Sequence, residues 1–243
     1  MIFSGLWLGT IVCGCSSDGQ SDDIRYATLY DVVEYTSQND GQTIFSLYPP
    51  EKDDPVVLTA FSSPDLGKLE PGQALMLAYT PVNGEAYVSD RIEVKGIGSV
   101  TNSQLLKGAP ETLSGWDDDP VWVSSLWRAG RNVMMRVSLV YDDKPRVFRL
   151  VVDETTMDQE YPDAYLVNIR RSEGENFLRQ YYVAFDLYAF WTHPQYRGIK
   201  IHVNNSNNTS LDEFIIERPF SLSSGDEEDI PGGGDSDAVK KRE

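Results

Sequence analysis

The residues best suited to covalent chemistry in this sequence are Cys13 and Cys15, which follow an uncharged apolar run at residues 2–12. The run has the length of a secretory signal core, roughly 7 to 15 residues, and is shorter than the roughly 20 residues that cross a membrane. A lipoprotein signal peptidase cuts before a cysteine preceded by a branched apolar, a variable and a small residue, and residues 12–15 match this pattern. We therefore predict a signal peptide and lipidated cysteine over residues 1–15, with lipidation at Cys15.

Lipidation of Cys15 is expected to tether the rest of the chain to a membrane surface. A thioether-linked diacylglycerol and an additional amide-linked chain supply the two or more acyl chains that stable anchoring requires. Cys13 fits the pattern less well, because Val12 before it is not small. The alternative is a buried N-terminal strand with two ordinary cysteines. Since the sequence has 2 cysteines in all, we expect a mature body that has no internal disulfide and depends on its hydrophobic cores for stability.

Two polar segments flank the body of the chain. Residues 16–23 are rich in Ser, Asp and Gly and are typical of a flexible tether, and residues 223–243 predict a disordered acidic tail. The acidic residues of this segment, just behind the lipidated cysteine, are similar to the surface-export signal of lipoproteins in Bacteroidota. We therefore expect an outer-membrane lipoprotein that faces the cell surface or the periplasm.

The charge balance disfavours one class of partner. Lys and Arg total 21 against 38 Asp and Glu, which gives a formal net charge of -17. Nucleic-acid binding draws its affinity from cationic contacts with phosphates, so we expect no nucleic-acid partner for a body this acidic. The same charge repels anionic lipid, so the membrane contact must come from the lipid anchor rather than from a basic patch.

Alternation of apolar and polar residues predicts an all-β chain with two domains. Five short strand candidates in the first half, separated by turn residues, indicate an OB-like small barrel over residues 24–105. The candidates are residues 24–35, 43–48, 56–61, 74–79 and 91–97. Between residues 101 and 119 the apolar pattern lapses, which we interpret as the boundary between the domains.

The second half contains about six alternating runs, which predict an antiparallel β-sandwich over residues 116–222. Each run has one apolar face that we expect to be packed and one polar face that we expect to be solvated. The predicted packed faces include Val133, Met135, Val137, Leu139 and Tyr141; Tyr165, Val167 and Ile169; Tyr181, Val183, Phe185, Leu187, Ala189 and Trp191; and Ile199, Ile201 and Val203.

An acylated cysteine, an OB-like half and a β-sandwich half together resemble the NigD-like family of Bacteroidota lipoproteins. Residues 132–141 and 181–187 carry the resemblance best, and it extends over about residues 24–222. The family is similar to proteins encoded beside a bacteriocin called nigrescin, and its molecular role is unassigned. The resemblance therefore implies an architecture and an envelope location, with no catalytic residue to carry over.

Candidate catalytic and metal-binding residues are few. Metal sites built on imidazole usually need two or three histidines with orienting partners, whereas His202 lies on the outer side of a predicted strand and His193 lies in a turn. Asp117, Asp118 and Asp119 offer oxygen ligands for calcium, but they lack the spacing of a dedicated loop and are more typical of a solvated interdomain turn. We therefore predict no catalytic residue, no metal and no cofactor, and a protein that is not an enzyme.

Several aromatic residues fall off the inferred packed face. Tyr182, Tyr188 and Phe190 alternate with the packed residues of their run, and exposed rings stack on sugars or on other proteins. The alternative is that these rings lie under the N-terminal domain and seal the contact between the domains. The same explanation fits the tryptophans near the boundary, which are Trp116, Trp122 and Trp127.

Together, these features favour a non-catalytic lipoprotein of the cell envelope that is held at the membrane by its lipid and binds an unknown protein or glycan partner. One alternative is a surface glycan-binding module, which the off-core rings suggest. The other is a bacteriocin-associated immunity factor, which the family resemblance implies.

Overall fold

The computed structural model describes residues 27–49, 52–62, 64–82, 91–109, 119–141, 143–144, 146–169, 177–207 and 212–219. Within these ranges nearly all of the regular secondary structure is β-strand, which confirms the all-β prediction. No helix in them is long and apolar enough to cross a membrane. The predicted lipidation site at Cys15, the tether at residues 16–23 and the tail at residues 223–243 lie outside the described residues.

The first five strands of the described chain close into a barrel. They are β1 (Leu29–Asn39), β2 (Gln42–Leu47), β3 (Val56–Ala60), β4 (Ala74–Pro81) and β5 (Arg91–Gly98). Their order around the barrel is β1-β2-β3-β5-β4, with β4 paired back to β1. The contact between β3 and β5 is parallel and the other pairings are antiparallel, which confirms the OB-like barrel.

Alternating side chains from all five strands fill the barrel. Phe45 and Leu77 are fully buried, and burial of a large apolar side chain contributes about 1.5 to 3 kcal/mol. Asp40 and Gly41 join β1 to β2 and both have positive φ, 49° and 78°, as the tightest hairpin turns require. The turn sequence and the alternation therefore specify the same register.

Eight further strands within the described ranges form the second domain. They are β6 (Thr101–Gly108), β7 (Trp122–Ala129), β8 (Asn132–Val140), β9 (Val147–Asp153), β10 (Asp163–Ile169), β11 (Leu178–Asp186), β12 (Gly198–His202) and β13 (Glu213–Glu217). Their order across the sheet is β13-β12-β10-β9-β6-β11-β8-β7. A 3-10 turn at Glu154–Thr156 follows β9, and a single helical turn, α1 (Tyr188–Trp191), follows β11.

Strand β6 joins the two halves of this sheet. Its first half pairs in parallel with β11, and its second half pairs in parallel with β9. At the far ends, Val121 bridges to Asn205, and the Val121 N–H donates to the carbonyl oxygen of Asn204 at 2.9 Å. The sheet is therefore curled nearly closed around one core, and the two layers of the predicted sandwich are continuous through β6. Its pairing is mixed rather than purely antiparallel as predicted, because β6 pairs in parallel with β9 and β11 and β10 pairs in parallel with β12.

The barrel ends earlier in the chain than the sequence predicts. The predicted barrel domain, residues 24–105, stops in the middle of β6, which belongs to the second sheet. The apolar pattern lapses along β6 because its polar side chains bond to neighbouring backbone, as when Ser103 Oγ donates to the carbonyl oxygen of Phe148 at 3.1 Å. The chain leaves the barrel directly after Gly98 and enters the centre of the second sheet.

The packed faces of the second sheet follow the sequence pattern, except in β10 and at Ala189, which is exposed because the chain is helical there. Val133 and Met135 of β8 are fully buried in its core, as predicted. In β10, Leu166 lies in that core, whereas Tyr165 is 37% exposed on the outer face, so the predicted packed face of this strand is wrong. Residues 164–167 are all apolar, and alternation therefore cannot distinguish the two faces there.

Candidate functional site

The chain changes from strand to helical turn directly after β11. Asp186 ends the strand, and its Oδ1 accepts a hydrogen bond from the Tyr188 N–H at 2.8 Å. The Trp191 N–H donates to the carbonyl oxygen of Leu187 at 2.8 Å, which closes one turn of helix. The side-chain period therefore changes from two residues to about 3.6. Leu187, Phe190 and Trp191 are buried as a result, whereas Tyr188 is 49% exposed.

Because of this turn, Tyr182, Tyr188 and Phe190 do not share one exposed face as the sequence predicts. Phe190 is buried and stacks on Tyr196 with 4.2 Å between ring centroids, so its predicted place on an exposed face is wrong. Tyr188 is exposed, as predicted. Tyr182 is partly buried, and its hydroxyl donates to the side-chain oxygen of Gln180. The alternative that the three rings seal the contact between the domains is also wrong, because none belongs to the apolar cluster there.

The apolar contact between the domains is a separate small cluster, whose buried members are Ala74, Met134 and Ala184. Ala74 of β4 clusters with Met134 of β8, and Trp127 of β7 is partly buried against them. The predicted sealing role therefore applies to Trp127. Trp122 is 42% exposed, and Trp116 lies outside the described residues.

A cleft of about 310 Å³ opens between α1 and the second half of β6. Its volume lies at the lower end of the range for small-molecule sites, which begins at about 300 Å³. A second hollow of about 490 Å³ lies beside the barrel, but none of the residues that line it is aromatic. The first cleft is therefore the better candidate for a binding site. Its lining includes Gln104, Lys107, Asp186, Tyr188, Phe190 and His193.

Arg131 connects this cleft to the junction between the domains. Its guanidinium pairs with the Asp186 carboxylate at 3.0 Å and lies 5.5 Å from the ring centroid of Tyr188. The first contact balances the charge of Asp186, and the second supports the exposed ring by a cation–π interaction. Lys107 and His193 add hydrogen-bond donors to the lining.

Glu34 of β1 places a partly buried carboxyl group at the junction. Asn132 of β8 donates from Nδ2 to Glu34 Oε2 at 3.2 Å and to the carbonyl oxygen of Gly72 at 3.4 Å, so one amide bonds to two parts of the barrel. Burial raises the pKa of Glu34 from 4.5 to about 7, while the Arg131 guanidinium lowers this pKa and the Asp186 carboxylate raises it by smaller amounts. The junction therefore contains a group that titrates near neutral pH.

Two glycines allow the domains to approach closely. Gly72 has a φ of 89°, and a Cβ there would overlap the Arg131 guanidinium. Gly130 has a φ of 56°, and a Cβ there would lie 2.4 Å from the ring of Tyr48. Burial raises the pKa of the Tyr48 hydroxyl, and the nearby Glu34 carboxylate raises it further. Arg131 and Tyr48 can therefore pack closely against the junction, because the backbone they meet belongs to glycine.

Two further polar contacts join the domains. The side chain of Asn102 in β6 mimics a strand neighbour of Ala74, because its Nδ2 donates to the Ala74 carbonyl oxygen at 2.9 Å and its Oδ1 accepts from the Ala74 N–H at 2.8 Å. Arg128 of β7 forms an ion pair with Asp53 of the barrel domain. These bonds, the apolar cluster and the Glu34 group fix the orientation of the barrel on the sheet.

His202 lies on the outer face of β12, as the sequence predicts, and carboxylates surround it. Its Nε2 lies 2.6 Å from Asp163 Oδ1, its Nδ1 lies 3.9 Å from Glu213 Oε2, and its ring stacks on Tyr165 at 4.9 Å. No group of three His, Cys, Asp or Glu that could hold a metal ion occurs among the described residues. His193 lies in the bend after α1, in agreement with the predicted turn, and lines the cleft between α1 and β6.

Of the predicted acidic turn at residues 117–119, the structure describes Asp119. The Asp119 N–H donates to the carbonyl oxygen of Asn168 at 3.4 Å, and its carboxylate lies 3.9 Å from Arg146 Nη1. Asp117 and Asp118 lie outside the described residues.

The sequence interpretation missed the part of the cleft that β6 contributes. Gln104 and Lys107 belong to that strand, and β6 shows no apolar alternation. One local signal for the cleft was present. Asp186 followed two residues later by Tyr188 is a spacing at which an aspartate side chain bonds the backbone and ends a strand.

No family model matches the sequence, and a search of curated proteins gives no match. Solved structures with a similar fold exist. A protein of unknown function from Bacteroides vulgatus is 19% identical with a TM-score of 0.60, and the alignment covers 86% of this chain and 96% of that one. A putative lipoprotein from Bacteroides fragilis is 13% identical with a TM-score of 0.51, covering 79% and 98%. A NigD-like immunity protein from Bacteroides caccae is 18% identical with a TM-score of 0.50, covering 74% and 86%.

At these identities the likeness concerns the fold. It includes both the barrel and the curled sheet, because most of each chain is covered. The chain therefore has the two-domain fold of the NigD-like proteins, which confirms the sequence resemblance at the level of architecture.

Proposed function

We propose that this chain is a NigD-like lipoprotein of the outer membrane that binds a partner and carries out no catalysis. The observation that supports it most directly is the cleft between α1 and β6, which is concave and partly aromatic. Its exposed ring and its hydrogen-bonding side chains are suited to holding a ligand. Binding is therefore the chemistry that the cleft supports best.

The anchor is supported by the sequence pattern at residues 12–15 and by the fold likeness to a protein described as a putative lipoprotein. Metabolic labelling with palmitate tests it. We expect wild type and Cys13→Ala to be labelled and recovered with membranes, and Cys15→Ala to be unlabelled and released. Equal labelling of the Cys15→Ala variant and wild type would contradict the assignment.

The orientation of the anchored body is tested by adding protease to intact cells. A surface-facing lipoprotein is degraded under these conditions, whereas a periplasm-facing one is protected until the outer membrane is opened. We expect degradation in intact cells, because acidic residues at positions 18, 22 and 23 follow shortly after Cys15. Protection in intact cells would assign the protein to the periplasmic face.

Partner binding is tested by affinity capture from intact cells with analysis of both proteins and carbohydrates. Tyr188 is the exposed ring of the cleft, and Tyr182 is a ring of the same chain segment that does not line it. We expect Tyr188→Ala to lose a captured component that wild type and Tyr182→Ala retain. The absence of any reproducible component with wild type would count against a binding role.

An immunity role is the second candidate. It is supported by the sequence resemblance and by the description of the Bacteroides caccae protein of similar fold as a NigD-like immunity protein. Deleting the gene should then increase sensitivity to a toxin secreted by neighbouring cells, and restoring the gene should reverse the effect. Unaltered sensitivity would remove this candidate.

A further inference from the structure

We infer that the cleft between α1 and β6 binds a short neutral saccharide, with one sugar ring stacked on Tyr188. The inference rests on the proposed binding function and adds to it the class of ligand and the residues that hold it. Three features of the cleft support it: a supported aromatic surface, a mixed set of polar groups and a small volume.

The aromatic surface is the ring of Tyr188. The residue is 49% exposed, its N–H is bonded to Asp186 at 2.8 Å, and the Arg131 guanidinium lies 5.5 Å from the ring centroid. One face of a sugar ring presents C–H groups with partial positive charge, which the negative face of an aromatic ring attracts. A ring that is already held in place loses little conformational freedom when a ligand stacks on it.

The polar groups of the lining match sugar hydroxyls. Lys107 donates hydrogen bonds, Asp186 accepts them, and Gln104 and His193 do both. A hydroxyl group is itself both a donor and an acceptor, so a saccharide can satisfy such a mixed set without carrying a charge. Phe190 adds an apolar surface beside these groups.

Size and charge narrow the ligand further. A volume of about 310 Å³ limits the bound part to about one or two sugar rings. The Asp186 carboxylate is balanced by Arg131 at 3.0 Å, and the whole chain carries a formal charge of -17. Long polyanions such as nucleic acids and acidic polysaccharides are repelled by that charge, which favours a neutral ligand.

The test uses the full-length lipidated protein in detergent. A glycan array identifies saccharides that bind, and calorimetric titration of the best neutral oligosaccharide gives its dissociation constant. We expect Tyr188→Ala to weaken binding at least about tenfold, as loss of a central aromatic anchor does. Tyr188→Phe, which keeps the ring, and Tyr182→Ala, which alters a ring outside the cleft, should each change the affinity by less than about twofold.

The other outcomes each overturn part of the inference. A neutral saccharide that binds wild type and Tyr188→Ala with equal affinity would overturn the location of the site. Binding confined to uronic-acid or nucleotide probes would overturn the class of ligand. An array without bound saccharides refutes the inference altogether, and the proposed binding function then stands or falls separately on whether affinity capture recovers a partner that depends on Tyr188.

Discussion

Glu34 makes the stability of the domain junction depend on pH. Burial raises the pKa of its carboxyl group to about 7 in the folded protein, against an ordinary value of 4.5 that applies to the unfolded chain. Between these values the folded state keeps a proton that the unfolded state has released, so the free energy of unfolding falls as pH rises. The contribution is fully present below about pH 4.5 and is lost as pH rises through about 7.

The size of the effect follows from the size of the shift. One pKa unit corresponds to about 1.4 kcal/mol, so a rise from 4.5 to about 7 sets an upper limit of about 3 to 4 kcal/mol. Glu34 is partly exposed, and solvent screening reduces electrostatic effects at such positions. We therefore expect this group to remove about 1 to 2 kcal/mol of stability between about pH 5 and about pH 8.

The substitution Glu34→Gln isolates this contribution. Glutamine retains the shape and the oxygen that accepts from Asn132, but it does not ionise, so the variant should lose less stability than wild type over the same pH range. Urea titrations followed by tryptophan fluorescence measure the free energy of unfolding at each pH. Glu93→Gln in β5 is the matched control, because it removes the same charge from a side chain that is 66% exposed. Parallel pH profiles for wild type, Glu34→Gln and Glu93→Gln would refute the reasoning.

Three further substitutions probe the same junction. Asn102→Ala removes side-chain hydrogen bonds of 2.8 and 2.9 Å between the domains and should cost about 1 to 3 kcal/mol in urea denaturation. Gly130→Ala places a methyl group 2.4 Å from a tyrosine ring at a φ of 56° and should lower the thermal midpoint, whereas Gly96→Ala, whose nearest neighbour atom lies at 3.8 Å, should leave it within a few degrees. Asp186→Asn removes a carboxylate that raises the pKa of Glu34, so an NMR titration of the Glu34 carboxyl carbon should shift to lower pH; an unchanged midpoint would exclude the coupling.

The barrel and the main core could be predicted because their strands are packed on one face. In β8, Val133, Met135 and Val137 alternate with more polar neighbours and all lie in the core of the second domain. Met134 departs from this alternation, since it is buried on the opposite face, where the barrel docks. A docking contact between domains leaves no periodic signal in either strand, and the sequence pattern therefore ends where the junction begins.

Two strands escaped prediction for different physical reasons. In β7, a bulge between Val123 and Ser125 shifts the register, so the apolar residues on either side of it no longer keep a period of two. In β6, Asn102 and Ser103 replace apolar burial with hydrogen bonds to the backbone of neighbouring strands. Strand β6 lies in the middle of a sheet, yet its sequence is that of a polar connection.

The cleft is lined in part by β6, the strand that the sequence pattern did not predict. The parallel pairing of β6 with β11 sets Gln104 directly opposite Asp186, and this pairing arises because the chain leaves the barrel into the centre of the second sheet. Asp186 then contributes to two sites at once, since it lines the cleft and pairs with Arg131, which also acts on Glu34. A ligand that donates a hydrogen bond to Asp186 weakens the field that raises the pKa of Glu34. If the proposed ligand bonds to Asp186 in this way, its binding lowers the pKa of Glu34, and by reciprocity protonation of Glu34 weakens binding of the ligand by the same free energy.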